Sequence, residues 1–375
     1  MTFLICLIVV LIYAVTIEQL IVGFDKIKTF VKTDSKPKTF FSIVVPFRNE
    51  AQNLPELLES FRQLNYPIDL FELILVDDFS TDASVKMIYD WRMQNGSCQV
   101  TLLENIKISG SPKKDAIARA IPIVKDNWVV TTDADCIVNK NWLQTLDNYI
   151  QNNAVSMIAG SVSYANCDSF LHHFQQLDLT SLQGATIGSF GMKLGFMCNG
   201  ANFAYKKSLF HELGGFGGNN KIASGDDVFL LQKAVEKVPQ QVHYLKSHSN
   251  IVQTKPLESW KTLFHQRVRW ASKTGSYQSV FGKDLALIVF TANFFCLLSF
   301  AFCLFGKMTW FQFGILFAIK CLVDAVLLFK TNRFLTGKSL RYLVLGSLFY
   351  LFFSVAVALY AMVGRYEWKG RRFTI

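Results

Sequence analysis

Four apolar runs constrain this chain more than any other feature. Residues 2–24 are almost entirely apolar, and three further runs, 285–305, 310–329 and 340–363, follow one another towards the far end. Each offers the roughly 20 residues that a helix needs to cross a hydrocarbon core. The expectation is an integral, multi-pass membrane protein with one N-terminal and about three C-terminal transmembrane helices. Between the first run and the rest lies a stretch, 40–252, whose mixed polarity suits a water-facing domain. Residues 253–284 are basic and aromatic and suit an interfacial helix region, and 364–375 form a basic tail.

Charge sets the expected orientation. No charged residue precedes Glu18, whereas Lys26, Lys28, Lys32, Lys36 and Lys38 follow the first run. A cleavable signal peptide would carry positive charge ahead of its apolar core and small residues after it, so an uncleaved anchor is the better reading. Basic residues after the anchor place the domain on the cytoplasmic side. The topology does not close, because the 330–341 loop and the tail are both basic and three full crossings would separate them. One segment is then re-entrant or interfacial, or the tail is an exception to the charge rule. Lys320 and Asp324, at i and i+4 in the third run, read as a self-neutralised pair on one helix face. The net charge of +10 is spread along the chain, without a nucleic-acid-binding motif, and is read as membrane-facing. The eight cysteines form no CxxC pair, so neither a disulfide framework nor a zinc site is expected.

The central stretch alternates strands with helices. Residues 40–46, 71–76, 100–103 and 128–132 read as strands, the first two as continuous buried runs. Residues 54–64, 84–94 and 116–124 read as helices, with Pro122 disturbing the last. The alternation predicts a doubly wound α/β fold with mostly parallel strands. In such sheets ligands bind beyond the carboxyl ends of the strands. Acids stand at two of those ends: Asp77-Asp78, and Asp133 and Asp135 flanking Ala134. Two carboxylates one residue apart suit a hard divalent cation, Mg²⁺ or Mn²⁺, if the chain turns between them; a solvated turn is the plain alternative. Residues 154–252 read as irregular. Their paired glycines lack a strand–GxGxxG–helix context, so no dinucleotide loop is expected, and no Walker A sequence is present. His172 and His173 are adjacent and read as non-catalytic.

Six motifs in order resemble family 2 glycosyltransferases, in particular membrane-bound members such as polysaccharide synthases and ceramide-glucosyltransferase-like enzymes. They are Val45-Pro46-Phe47-Arg48-Asn49-Glu50, Val76-Asp77-Asp78-Phe79-Ser80-Thr81-Asp82, Lys113 ahead of Ala116-Ile117, Asp133-Ala134-Asp135, Gly225-Asp226-Asp227, and Gln266-Arg267-Val268-Arg269-Trp270. Phe79 and Ile117 depart from the family's usual glycine and leucine, and Asp226 stands where glutamate is commoner. The resemblance implies a GT-A nucleotide-sugar-binding domain and inverting transfer from a nucleoside-diphosphate sugar, a UDP-sugar by family default. It implies donor contacts from Pro46, Arg48, Glu50 and Asp78, with Asp77 as the competitor for Asp78. Lys113, or else Lys114, is implied near the nucleotide or diphosphate. Asp133 and Asp135 are implied as cation ligands, Asp133 also near the ribose.

An acceptor hydroxyl needs a general base, and Asp227 is the candidate, its basicity raised by its neighbour Asp226. Aspartate is also a good helix N-cap, and Asp226 is expected to cap while Asp227 catalyses. Gln266, Arg269 and Trp270 share one helix face, where Trp can stack a sugar and Arg can meet a diphosphate. Membrane anchoring explains the same residues; for Trp368-Lys369-Gly370-Arg371 in the tail it is the preferred reading over closing across the active site. The leading expectation is single transfer to a lipid or lipid-linked acceptor at the cytoplasmic membrane face. A processive polysaccharide synthase is one alternative, and a non-catalytic membrane assembly partner is another. Nucleic acid is not an expected partner.

Overall fold

The computed structural model describes residues 1–96, 98–219, 222, 224–363, 365–368 and 371–374, with the side chains of 365–368 and 372–374 outside that description. The chain forms two compact units. One comprises 28–165 and 197–255; the other comprises 1–27, 166–196 and 256–375.

The first unit is α/β. Its strands are β1 (Phe41–Phe47), β2 (Phe71–Asp77), β3 (Gln99–Glu104), β4 (Trp128–Thr131), β5 (Cys136–Ile137), β6 (Met157–Gly160), β7 (Val162–Tyr164), β8 (Phe203–Lys206), β9 (Val242–Leu245) and β10 (Val252–Thr254). Among the described residues the main sheet runs β3-β2-β1-β4-β8-β6-β9, and β5, β10 and β7 make a smaller one. β1, β2, β3 and β4 are parallel, β8 is antiparallel to β4 and β6, and β9 is parallel to β6. The sheet is therefore mixed but mostly parallel, as expected.

The runs in β1 and β2 are apolar on both faces because helices cover both sides of a parallel sheet. Phe41, Ile43, Val45, Phe47, Leu73 and Leu75 are buried in one core with Leu57, Phe61 and Trp142 from the flanking helices. The chain runs outward from β1 through β2 to β3, then returns to place β4 on β1's other side. That reversal opens a crevice beyond the carboxyl ends of β1 and β4.

The helices at Leu54–Arg62 and Ser84–Gln94 fall where the pattern puts them. The third helix is corrected. It begins at Pro112, not 116, and runs to Ala120 before a 3₁₀ turn at Ile121–Ile123. Proline at the first helical position lacks only an N–H that would be orphaned anyway, so Pro112 starts the helix and Lys113 lies in its first turn.

Among the described residues, the second unit holds four helices long and apolar enough to cross a membrane: Thr2–Lys26, Val280–Leu304, Trp310–Leu335 and Leu343–Val363. It also contains Phe170–Gly191, which the sequence reading left irregular, and Trp260–Ala271. Residues 166–196 lie inside the 40–252 stretch read from sequence as one domain, yet they group with the apolar helices. Phe170–Gly191 packs on the first helix through glycines. A Cβ on Gly188 would lie 2.4 Å from the Leu20 carbonyl oxygen, and one on Gly191 would lie 1.8 Å from that of Gly23. Lys320 and Asp324 do pair, at 2.6 Å, and Tyr13 of the first helix also donates to Asp324. The tail backbone forms an antiparallel pair, Arg365–Trp368 with Arg371–Thr374. Of the expected anchor, Lys369, Gly370 and the Trp368 side chain lie outside the described residues.

Candidate active site

Four strand ends build the site. Beyond β1, the Arg48 Nη1 donates to the carbonyls of Asp78 (2.6 Å) and Phe79 (2.9 Å), joining the loops after β1 and β2. Asn49 and Phe79 both have positive φ, and their loops interlock: the Asn49 N–H donates to Ser80 Oγ, and Asn49 Oδ1 accepts from the Thr81 N–H. Glu50 is buried, its N–H donates to Ser84 Oγ, and its carboxylate accepts from Asn53. Asp82 reaches back to accept from the Ala51 N–H. Pro46 is the penultimate residue of β1, half-buried beside the loop.

The geometry separates Asp77 from Asp78. Asp77 Oδ1 accepts from the Ser80 N–H at 2.9 Å and so shapes the turn. Asp78 is 7% exposed, and its Oδ1 accepts from Asn105 Nδ2 at 2.9 Å. Asn105 follows β3 and also donates to the Pro112 carbonyl at 3.1 Å, tying Asp78 to the helix that carries Lys113. No motif pointed to Asn105. Its place just beyond the carboxyl end of a strand is the signal that could have found it.

Lys113 and Lys114 separate as well. Lys114 is buried and donates to the carbonyls of Asn219 and Ile222, holding the loop ahead of the acidic pair. Lys113 turns to the crevice. Its Nζ lies 2.6 Å from Asp133 Oδ1 and 3.3 Å from Asp226 Oδ2. Burial opposes the charged ammonium, but the carboxylates of Asp133, Asp226 and Asp227 outweigh it and hold Lys113 well above the usual lysine range. The floor beneath is Gly200, where a Cβ would stand 3.1 Å from Asp226 Oδ2 and 3.2 Å from Lys113 Nζ. A side chain at 200 would crowd both charged ends and push them by a few tenths of an ångström.

The capping expectation is corrected. Asp227, not Asp226, is the N-cap of the Val228–Lys237 helix. Its Oδ1 accepts from the Val228 N–H at 2.7 Å and its Oδ2 from the Gly200 N–H at 2.8 Å. Asp226 faces Lys113 instead. Only the cap moves, because the carboxylate that immediately precedes the helix is the one its first free N–H reaches.

Asp133 and Asp135 follow β4, Asp133 half-exposed and Asp135 exposed. Among the described residues no three His, Cys, Asp or Glu side chains cluster as a complete metal cage. Two carboxylates at an open strand end fit Mg²⁺ or Mn²⁺, which take few protein oxygens and complete their shell with substrate phosphates and water.

Gln266, Arg269 and Trp270 lie on the Trp260–Ala271 helix of the second unit. The residue between them matters too. Arg267 is buried, donates to the carboxylate of Asp178 and to Gln266 Oε1, and lies 4.2 Å from the Trp270 ring centre. Asp178 sits on the helix that the sequence reading missed.

The family model Glycosyl transferase family 2 matches residues 42–214, from the first residues of β1 to just beyond β8. Residues 42–214 are a family 2 glycosyltransferase domain. The glycosyltransferase domain has the mixed α/β GT-A fold. The mannosyltransferase PcManGT of Pyrobaculum calidifontis, solved with GDP-Man and Mn²⁺, superposes with a TM-score of 0.57 at 15% identity, covering 96% of this chain and 99% of that one. In sequence the chain is similar to undecaprenyl-phosphate 4-deoxy-4-formamido-L-arabinose transferase of Serratia proteamaculans, 38% identical over 98 residues, 25% of this chain and 28% of that protein. It is also similar to poly-beta-1,6-N-acetyl-D-glucosamine synthase of Staphylococcus epidermidis, 22% identical over 246 residues, 64% of this chain and 56% of that protein. The matches thus span between about a quarter and just over half of these two curated relatives.

Proposed function

We propose that this chain transfers a sugar from a nucleoside-diphosphate sugar, with uridine the first base to test, to a hydroxyl of a lipid or lipid-linked acceptor, with inversion at the anomeric carbon. The observation that carries the reading is the meeting of Lys113, Asp133, Asp226 and Asp227 over Gly200 at the switch point of a GT-A sheet. Asp78 and the 46–50 loop hold the nucleoside end. The acceptor oxygen attacks the anomeric carbon, the bond to the diphosphate oxygen breaks, and Asp227 takes the hydroxyl proton. Backbone N–H groups on both oxygens fix the Asp227 carboxylate for that task. Lys113 offsets charge building on the leaving diphosphate. A divalent cation held by Asp133 and Asp135 would neutralise the same charge when bound. Gln266, Arg269 and Trp270 serve the acceptor or the diphosphate.

A relative named for undecaprenyl phosphate supports a lipid acceptor; were the accepting group here also a phosphate, it would need no base, and the Asp227 role applies to a hydroxyl acceptor. A processive synthase is the second reading, supported by the poly-N-acetylglucosamine synthase match along most of the chain. Full-length protein in nanodiscs with Mn²⁺, UDP- and GDP-sugars and membrane lipid extract separates the two. Lipid-dependent nucleotide release with a small glycolipid product supports single transfer; a high-molecular-weight product supports the synthase. No release with any donor would count against both.

The reading places the glycosyltransferase domain at the cytoplasmic face. Packing within the second unit supports a topology in which the last apolar helix does not cross. Trp260 meets Phe349 and Phe353, Phe264 meets Phe353 and Tyr360, and Val268 clusters with Val357 and Ala361. The Leu343–Val363 helix therefore runs alongside the charged Trp260–Ala271 helix in the same direction. The Arg365–Trp368 strand also contacts that helix. Because the Trp260–Ala271 helix precedes the first C-terminal crossing, a tail lying on it stays on the domain's side, and the 330–341 loop and the tail both become cytoplasmic. Cysteines placed singly at 339 and 373 in a chain lacking native cysteines should then label from the same face of sealed vesicles. Labelling from opposite faces would restore a full crossing.

A further inference from the structure

The pairing of Lys113 with Asp133 has a consequence for how the domain takes up its cation. One of the two carboxylates available to a metal is already neutralised by an ammonium at 2.6 Å, on a residue whose side chain is 18% exposed. The same ammonium neutralises Asp226 at 3.3 Å. Lys113 stands in the first turn of the helix that Pro112 starts, a helix tied to the end of β3 through Asn105, so its side chain leaves the backbone from a braced position beside the acids. A free divalent cation approaching Asp133 must displace that ammonium, or share the carboxylate with a like charge a few ångströms away. Asp135 alone supplies too few oxygens to hold Mg²⁺ or Mn²⁺.

A nucleoside diphosphate changes this balance. Its phosphates bring negative charge for Lys113 to pair with, freeing Asp133, and oxygen ligands to complete the cation's shell.

We propose that Lys113 is a resident counter-ion that excludes a divalent cation from Asp133 until a nucleoside diphosphate is bound, so that cation and donor enter as one unit. The inference rests on the donor reading above and adds an order of binding and a residue that enforces it. In this role Lys113 acts on Asp133 as well as on the diphosphate. Its removal therefore strengthens one binding event while weakening another, which a purely structural or purely phosphate-binding lysine would not do.

The experiment uses the full chain in nanodiscs and follows Mn²⁺ by electron paramagnetic resonance, without nucleotide and with saturating UDP or GDP. Wild type should bind Mn²⁺ weakly alone and at least about tenfold more tightly with a diphosphate. Lys113→Gln should bind Mn²⁺ alone at least about tenfold more tightly than wild type, while losing affinity for the diphosphate. Lys113→Arg keeps the charge and should bind Mn²⁺ alone as weakly as wild type, which separates charge from misfolding. Lys113→Gln/Asp133→Asn should lose the gained Mn²⁺ affinity, which locates it. Nucleotide-free affinity equal in wild type and Lys113→Gln, with the diphosphate still strengthening Mn²⁺ binding to wild type, would overturn the counter-ion role and leave the donor reading standing. No strengthening of wild-type binding by either diphosphate would overturn the donor reading itself.

Discussion

Asn105 Nδ2 donates to Asp78 Oδ1 at 2.9 Å, and both residues are buried. A hydrogen bond to a carboxylate contributes about 1.5–3 kcal/mol, and this one aims the carboxylate assigned to the nucleoside. Asn105→Ala should raise the donor KM by about tenfold or more and leave kcat within about threefold. If the variant melts lower yet keeps its donor KM, Asn105 only braces the helix at Pro112.

Asp226 and Asp227 are neighbours with different partners, so their amide variants should differ. Asp227→Asn should lower turnover by about 10²–10⁴-fold with donor binding near wild type. Its amide can accept only through one atom; asparagine caps as well as aspartate, so the bond from the Gly200 N–H is the one that goes, and stability falls by about 1 kcal/mol. Asp226→Asn frees one arm of Lys113 and should move diphosphate affinity more than stability. Nucleotide-binding titrations alongside single-turnover rates tell the two apart. Substantial turnover in Asp227→Asn would transfer the base to Asp226.

The half of the site that was legible in the sequence lies at the ends of buried parallel strands. β1 and β2 are continuous, mostly apolar buried runs because both faces are covered, and charged residues, Arg48 after β1 and Asp77-Asp78 at the end of β2, appear where each run stops. What stayed hidden depends on partners far away in sequence. The helix Phe170–Gly191 shows no apolar stripe, since Gln175, Gln176, Asp178 and Gln183 are all buried in it. Its packing mixes glycine contacts and an ion pair to Arg267 with ring contacts of Phe170 and Phe174, and buried glutamines between them erase any apolar periodicity. The choice between Asp77 and Asp78, or Lys113 and Lys114, was hidden for a simpler reason. Adjacent residues in a turn or first helical turn point different ways, and only the fold says which way is the crevice.

Asp178 and Arg267 form a buried ion pair, each about 5–6% exposed, and Arg267 underlies the Trp270 ring. Removing one partner strands a buried charge at a cost of about 3–5 kcal/mol. Asp178→Ala should therefore lower the melting temperature sharply, while the apolar pair Asp178→Leu/Arg267→Met should recover most of it. The double variant should still lose acceptor-dependent turnover, because Trp270 has lost the guanidinium that orients it. Recovery of both stability and turnover would show that the pair has no bearing on Trp270.

Gly191 and Gly314 give opposite expectations for one substitution. A Cβ at 191 would stand 1.8 Å from the Gly23 carbonyl oxygen, which is backbone and cannot swing aside, so the helices must separate. Gly191→Ala should destabilise the chain by about 1–3 kcal/mol through forced repacking. Gly314 lies within the Trp310–Leu335 helix with nothing within 4 Å of its would-be Cβ. Gly314→Ala should be neutral or stabilising by up to about 1 kcal/mol, since alanine loses less backbone freedom in a helix. Melting curves of both variants in one detergent cancel the effect of the solvent. Equal melting temperatures would mean that the Thr2–Lys26 and Phe170–Gly191 helices do not approach as closely as their glycines permit.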